Sequence, residues 1–139
     1  MILDESFGII PLRRRPDGVW EVFLILHKSG HHWSFPKGHK DCETEESFAA
    51  AQRELFEETG LRIANRLPFP ALLETYEFRH RHSLVRKKVE YFAAEVSGDP
   101  ILQAEEIRDG RWVALSDAHQ LLTFKEAQAI CTRVIQLLA

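Results

Sequence analysis

The segment from residue 38 to residue 61 constrains the fold most, because it predicts one helix with a clear beginning and end. The helical pattern runs from about Glu45 to Thr59, with Thr44 as the expected N-cap and Gly60 as the expected terminator. The segments on both sides are rich in β-branched and aromatic residues, which is typical of strands. We therefore expect a mixed α/β domain, with helices packed on the faces of a sheet.

The flanking segments predict two hairpins and a terminal helix. SFGIIPLR (6–13) and VWEVFLILH (19–27) are joined by Pro16-Asp17-Gly18, which has the composition of a turn. Residues 72–78 and 84–96 form a second pair of predicted strands, and residues 111–115 a last short strand. A capping-box spacing at residues 123–126 precedes an apolar stripe formed by Ala127, Ile130 and Val134.

Length and charge limit the classes of function. The 139 residues suit a single domain spanning residues 1–139, and 18 basic against 21 acidic residues give a net charge of −3. This balance argues against a protein that coats nucleic acid or acidic membrane, so a polyanion must be bound at a local site. No apolar run is long enough to span a membrane, and the beginning of the chain is acidic. We expect a cytoplasmic protein with Cys42 and Cys131 as free thiols.

Three carboxylates crowd one strip of the predicted helix. Glu54 and Glu58 lie one turn apart, and Glu57 is three positions from Glu54. Most such clusters are solvated acidic faces. Here Arg53 is placed to pair with a carboxylate, and Gly38 permits close backbone approach. Oxygen ligands without His or Cys suit Mg²⁺, which assists attack of water on phosphorus, so the pattern predicts hydrolysis of a phosphoanhydride.

The same segment resembles the signature of the Nudix hydrolases, which reads G, five residues, E, seven residues, R-E-x-x-E-E-x-G and an apolar residue. One feature departs from the signature, since six residues separate the first glycine from Glu45; we prefer Glu45 to Thr44 as the first glutamate because its spacing to Arg53 is intact. The resemblance implies an α/β/α sandwich with a mixed sheet flanked by helices. The matching positions are Gly38, Glu45, Arg53, Glu54, Glu57, Glu58, Gly60 and Leu61.

The family resemblance also implies roles for these residues. Glu54 and Glu58 would bind Mg²⁺, with Mn²⁺ as a substitute, and Gly38 would belong to the same metal-binding group. Glu57 would be a further ligand or the base. Outside the signature, Glu106 would join the metal site or activate water, with Glu105 as the alternative. The resulting catalytic set is Arg53, Glu57, Glu58 and Glu106.

A second resemblance covers most of the chain. HHWSFPKGH (31–39), KKVEYFAAEV (87–96) and LLTFKE (121–126) are similar to the asymmetrically cleaving diadenosine tetraphosphate hydrolases. This similarity implies that Tyr91 and Phe124 sandwich an adenine and that His32, Lys37 and Lys88 hold phosphates. From the residues alone, an aromatic in an alternating strand is more often core, and the basic run 79–88 is more often a solvated hairpin tip.

These features together predict Mg²⁺-dependent hydrolysis of diadenosine tetraphosphate to ATP and AMP by attack of water on phosphorus. The expected partner is a small nucleotide, with no membrane and no stable nucleic-acid partner. Alternative substrates are RNA 5′ ends and inositol pyrophosphates. A nucleotide sensor without catalysis is the non-enzymatic alternative, although a sensor should have lost its metal carboxylates. The sequence leaves the oligomeric state and the identity of the base open.

Overall fold

The computed structural model describes all 139 residues and contains one eight-stranded sheet with three α-helices. The helices are α1 (Ser47–Thr59), α2 (Ala118–Leu121) and α3 (Lys125–Leu138), with a 3₁₀ turn at Leu115–Asp117. The strands are β1 (Ile2–Arg14), β2 (Trp20–His27), β3 (Trp33–Ser34), β4 (Lys37–Gly38), β5 (Arg62–Arg66), β6 (Leu72–His80), β7 (Ser83–Ser97) and β8 (Ile107–Ala114).

The sheet is mixed because its two longest strands run side by side in parallel. β1 and β7 pair from Ile2↔Val85 to Leu12↔Glu95, whereas every other strand pair is antiparallel. The far side of β7 is shared, with β6 paired along its first part and β5 along its last part. Both predicted hairpins are confirmed, since β1 pairs with β2 and β6 pairs with β7.

Two hydrophobic cores lie on opposite faces of this sheet. Consecutive residues of β1 divide between them: Ile9 packs in the core beneath α1, and Ile10 in the core beneath α2 and α3. A strand that is buried on both faces has apolar residues at successive positions, which explains the uninterrupted run of apolar residues at 22–25 of β2. The predicted α/β/α sandwich is confirmed.

The ends of α1 agree only in part with the sequence prediction. The helix begins after Glu46, whose side chain accepts a hydrogen bond from the Phe48 amide, so Glu46 and not Thr44 is the N-cap. The other end is as predicted: Gly60 adopts φ 73°, and its amide donates to the Phe56 carbonyl oxygen at 2.8 Å. A positive φ is readily accessible only to glycine, so Gly60 ends the helix without strain.

Two further features of the structure differ from the sequence prediction. The predicted capping box at the beginning of α3 does not form, because the Thr123 hydroxyl instead accepts a hydrogen bond from the Trp33 amide at 2.8 Å. The sequence also gave no signal for β5, whose residues RIANR are mostly exposed. Cys42 and Cys131 are free thiols, as expected. None of the helices is both long enough and apolar enough to cross a lipid bilayer.

Candidate active site

Arg53 on α1 organises the loop that enters this helix. Its guanidinium donates from Nε to Glu45 Oε2 at 3.0 Å and from Nη2 to the His39 carbonyl oxygen at 2.8 Å. Nη1 donates to Glu54 at 3.1 Å and to Glu57 at 3.1 Å. Hydrogen bonds from a cation to carboxylates are stronger than neutral ones, and several of them share this one group. Arg53 therefore fixes both the loop and two of the three signature carboxylates on α1, and its contact with Glu45 is consistent with Glu45 as the first glutamate of the signature.

Gly38 on β4 provides the space for Glu54. A Cβ atom on Gly38 would overlap the carboxyl group of Glu54, so no other residue fits without displacing that side chain. Burial raises the pKa of Glu54 against the opposing effect of its hydrogen bond with Arg53. The backbone of β4 and the carboxylate of α1 are therefore packed directly against each other.

Glu58 is the most buried of the three signature carboxylates, with 6% of its surface exposed. Its Oε1 atom accepts a hydrogen bond from the Lys37 amide at 3.1 Å. Burial, followed by the charge of Glu54, raises the pKa of Glu58 to about 8. A buried carboxylate without a cationic partner at contact distance has the electrostatic environment in which a divalent cation is stabilising.

These groups line a cleft of about 450 Å³, here called the acidic cleft, with no hydrophobic residue in its wall. Gly38 and Glu106 lie in this wall as predicted, but the carboxylates do not converge: no three His, Cys, Asp or Glu side chains are grouped closely enough to hold a metal ion as they stand. The lining residues are Ser6, His27, Lys37, Gly38, His39, Lys40, Asp41, Glu54, Glu57, Glu58, Lys87, Gln103 and Glu106.

A second cleft of about 500 Å³, here called the aromatic cleft, adjoins the first. Tyr76 and Phe78 of β6 lie in its wall together with Phe124, which precedes α3 and is 52% exposed. Exposed aromatic rings in a concave site are suited to stacking with a planar ligand. The lining residues are Asp4, His32, Ser34, Lys37, Glu74, Tyr76, Phe78, Lys87, Tyr91, Phe124, Glu126 and Ala127.

Lys37 and Lys87 line both clefts and therefore mark the passage between them. Lys87 is 6% exposed, and its ammonium donates to Asp4 Oδ2 at 2.8 Å and to Ser6 Oγ at 2.6 Å. Burial lowers the pKa of Lys37, as does the charge of Lys87. Asp4 offsets the charge of Lys87, but the ammonium groups of both lysines lie where they could contact a polyphosphate that spans the two clefts.

The resemblance implied a phosphate contact at Lys88, whereas in the structure the neighbouring Lys87 lines the clefts. Successive residues of β7 point to opposite faces, so Lys87 faces the clefts while Lys88 is exposed on the other face. Lys88 lines neither cleft. The position of Lys88 therefore does not fit its expected role, and the sequence alone did not show which face of β7 meets the clefts.

Tyr91 also differs from its expected role. It is 1% exposed, and its ring packs edge-on against Phe35 with centroids 5.3 Å apart. A ring enclosed in this way forms the floor of the aromatic cleft and presents no free face for stacking. Tyr76, which sequence reasoning missed, lies in the wall instead and is partly exposed. The alternation of residues 72, 74, 76 and 78 along β6 was the signal available for finding it.

His32, which the resemblance implied to be a phosphate contact, lies in the aromatic cleft and packs against Phe124. Its ring stacks on His27 with centroids 4.3 Å apart and lies 5.3 Å from the ring of Phe124. His27 Nε2 is 2.9 Å from Ser34 Oγ. Burial lowers the pKa of both histidines, in the case of His27 to about 4. A neutral, stacked His32 acts here as a packing surface.

The sandwich fold and the signature helix together indicate a hydrolase, and a family model agrees. The model described as NUDIX domain matches residues 3–134, so the chain belongs to the Nudix family of hydrolases.

Two relatives with the same name are similar to the chain over most of its length. The chain is 35% identical over 136 residues to the bis(5′-nucleosyl)-tetraphosphatase [asymmetrical] of Rattus norvegicus. The aligned region covers 90% of this chain and 88% of that protein. Identity to the protein of the same name from Mus musculus is 36%, with the same coverage.

Solved structures support the fold. A C. elegans Ap4A hydrolase binary complex superposes with a TM-score of 0.75 at 23% identity, covering 97% of each chain. The NUDIX domain of Shewanella oneidensis NrtR, complexed with ADP ribose, gives 0.74 at 14% identity, covering 100% of this chain and 90% of that one. At these identities the superpositions show the Nudix fold alone.

Nudix hydrolases generally use divalent metals such as Mg²⁺, and the donor set here fits one. The acidic cleft offers carboxylate oxygens and the backbone of Gly38, which are the ligands of hard cations. Glu58 is buried and forms no ion pair with a cationic side chain, so a bound cation could compensate its charge. A bound Mg²⁺ would neutralise phosphate charge and acidify the attacking water.

Proposed function

We propose that this chain hydrolyses diadenosine tetraphosphate asymmetrically, to ATP and AMP, with Mg²⁺ as its cofactor. The observation that carries the proposal is the order of groups along the connected clefts. Aromatic rings lie at one end, Lys37 and Lys87 in the middle, and carboxylates at the other end. This order matches a base, a phosphate chain and a metal-assisted scissile bond. The similarity to two asymmetrical bis(5′-nucleosyl)-tetraphosphatases supports the same substrate.

The aromatic cleft is proposed to bind one adenine between Tyr76 and Phe124, and the ring of His32 packs against Phe124. Base stacking contributes roughly 1 to 3 kcal/mol per base. An inositol pyrophosphate has no planar ring to fill this cleft, so the cleft favours a nucleotide over that alternative. Lys37 and Lys87 would hold the phosphates that lead from the base to the acidic cleft.

In the acidic cleft, Glu54 and Glu58 are proposed to hold Mg²⁺, with Gly38, Glu57 and Glu106 in the same group. Arg53 orients Glu54 and Glu57 through its hydrogen bonds. The oxygen of water forms a bond to phosphorus, the bridging P–O bond breaks, and the proton passes to a carboxylate. We assign that base to the set Glu57, Glu58 and Glu106. No covalent intermediate with the protein is required.

The test is product analysis by anion-exchange chromatography after incubation of diadenosine tetraphosphate with the protein and Mg²⁺. Equal amounts of ATP and AMP are expected, whereas ADP as the sole product would contradict asymmetric cleavage. A 5′-triphosphate RNA and an inositol pyrophosphate are assayed in parallel. Faster turnover of either would assign a different substrate, and no turnover with retained nucleotide binding would indicate a sensor.

A further inference from the structure

Glu74 on β6 is the most buried carboxylate in the aromatic cleft and has no role in the proposed chemistry. It is 7% exposed, and its Oε2 atom is shielded from solvent without any hydrogen-bond partner. Lys87, which lies in the same cleft, is paired with Asp4 instead. Burial raises the pKa of Glu74, against the opposing effect of the nearby charge of Lys37.

An unpartnered buried oxygen of this kind is uncommon. A buried acceptor without a donor loses its hydration and gains nothing in exchange, so nearly all such groups in folded proteins are satisfied. Nothing in the protein donates to Glu74 Oε2. A ligand that enters the cleft with an N–H group facing its floor would supply the missing donor.

The position of Glu74 indicates which part of a bound nucleotide would donate a hydrogen bond to its Oε2 atom. Glu74 precedes Tyr76 by two residues on the same strand, so both side chains lie on the face of the sheet that lines the cleft. Phe124 is 52% exposed at the mouth of the cleft, whereas Glu74 lies at its buried end. A base held between Tyr76 and Phe124 would therefore present one edge to the buried end of the cleft, where Glu74 lies. A phosphate is disfavoured there, because it carries the same charge as a carboxylate.

We propose that Glu74 accepts a hydrogen bond from the exocyclic amino group of adenine and makes the cleft select adenine over hypoxanthine. This inference rests on the proposed function, since it assigns a base-selecting residue to the same site. Hypoxanthine carries a carbonyl oxygen where adenine carries the amino group, so two acceptors would face each other. A site built around a hydrogen bond rejects an analogue that lacks the donor far more strongly than a purely apolar pocket does.

The test compares kcat/KM for the adenine and hypoxanthine dinucleoside tetraphosphates in the parent protein and in E74Q. The parent is expected to prefer adenine by about 10-fold or more. E74Q should reduce the preference to about 3-fold or less, because an amide presents either a donor or an acceptor after rotation. E77Q is the matched control, since Glu77 lies on the other face of β6, is exposed and pairs with Arg86. It should keep the parent preference.

A preference that is unchanged in E74Q, or absent from the parent, would overturn the inference. Equal losses on both substrates would do the same, because they would indicate a general packing defect. If E74Q does not fold, the parent alone decides the question through calorimetric binding of AMP, IMP and N6,N6-dimethyl-AMP. AMP should bind at least about 10-fold more tightly than the other two, and equal affinities contradict the role of Glu74. Because this assay needs no turnover, its result is separable from failure of the proposed hydrolysis.

Discussion

The carboxyl group of Glu54 occupies the space that a side chain on Gly38 would need. Glu54 is held there from the other side by Arg53, whose Nη1 atom is 3.1 Å from Oε1. A side chain at the first glycine of the signature would therefore force the carboxyl group of Glu54 to move.

G38A is expected to displace Glu54 and to lower both stability and activity. Overpacking of this kind typically costs about 1 to 3 kcal/mol in the free energy of unfolding, measured by urea denaturation. The double variant G38A/E54D should recover part of that stability, because the shorter side chain frees space, without recovering activity. If the double variant is no more stable than G38A, the steric relationship is not the cause.

Removing the charge of Glu58 is expected to impair the proposed metal site. E58Q keeps the shape of the side chain and its acceptor for the Lys37 amide, but weakens binding of a divalent cation. Turnover of diadenosine tetraphosphate at saturating Mg²⁺ should fall by about 100-fold or more, and the Mg²⁺ concentration for half-maximal rate should rise. E43Q removes an exposed carboxylate outside the acidic cleft and is the control. A loss of only a few fold in E58Q would contradict the assignment.

Lys87 and Lys88 provide a matched pair for the phosphate passage. K87M removes a cation from the passage and is expected to raise KM for diadenosine tetraphosphate by about 10-fold or more, since charge-assisted contacts to phosphate contribute about 1.5 to 3 kcal/mol. K88M changes the net charge equally on the opposite face and should stay within about 2-fold of the parent. Steady-state kinetics at low and high salt separate a local contact from general attraction, because only general attraction is screened. Equal effects of the two changes would contradict the register of β7.

The same pair shows what the sequence could and could not predict. The pairing of Arg53 with the carboxylates of α1 could be predicted from the sequence, because helical spacing is a local property and Arg53 lies within the same turn as Glu54 and Glu57. The fold followed from two hairpins and one bounded helix. Lys87 and Tyr76 were missed because their roles depend on which face of a strand meets the clefts. That choice is set by packing between distant segments and by no local pattern.

Tyr76 and Phe124 are expected to share the binding of one adenine. Y76A and F124A should each raise KM for diadenosine tetraphosphate by about 5- to 100-fold with a smaller change in kcat, because stacking contributes roughly 1 to 3 kcal/mol per base. F56A is the control, since Phe56 is an exposed ring on α1 that lines neither cleft. An unchanged KM in both variants would remove the aromatic cleft from the substrate path.

His27 predicts how the stability of the protein depends on pH. Its folded pKa of about 4 lies below the ordinary value of 6.5, chiefly because burial disfavours the charged ring. Folding therefore favours the neutral form, so the stabilisation is present above about pH 6.5 and is lost as the pH falls toward 4. H27Q cannot gain this charge, and its free energy of unfolding should depend less on pH in that window, by up to about 2 kcal/mol.

Urea denaturation at pH 7 and pH 4.5 measures the effect. Gln is a suitable replacement because its amide still reaches a hydrogen-bonding distance from Ser34 and retains some of the packing against His32. H119Q, which changes an exposed histidine on α2, is the control and should show the slope of the parent. The half-buried ring of His27 is then the source of the difference, because H27Q differs from the parent at this one titrating group. Identical slopes for H27Q and the parent would mean that the ring is solvated in solution.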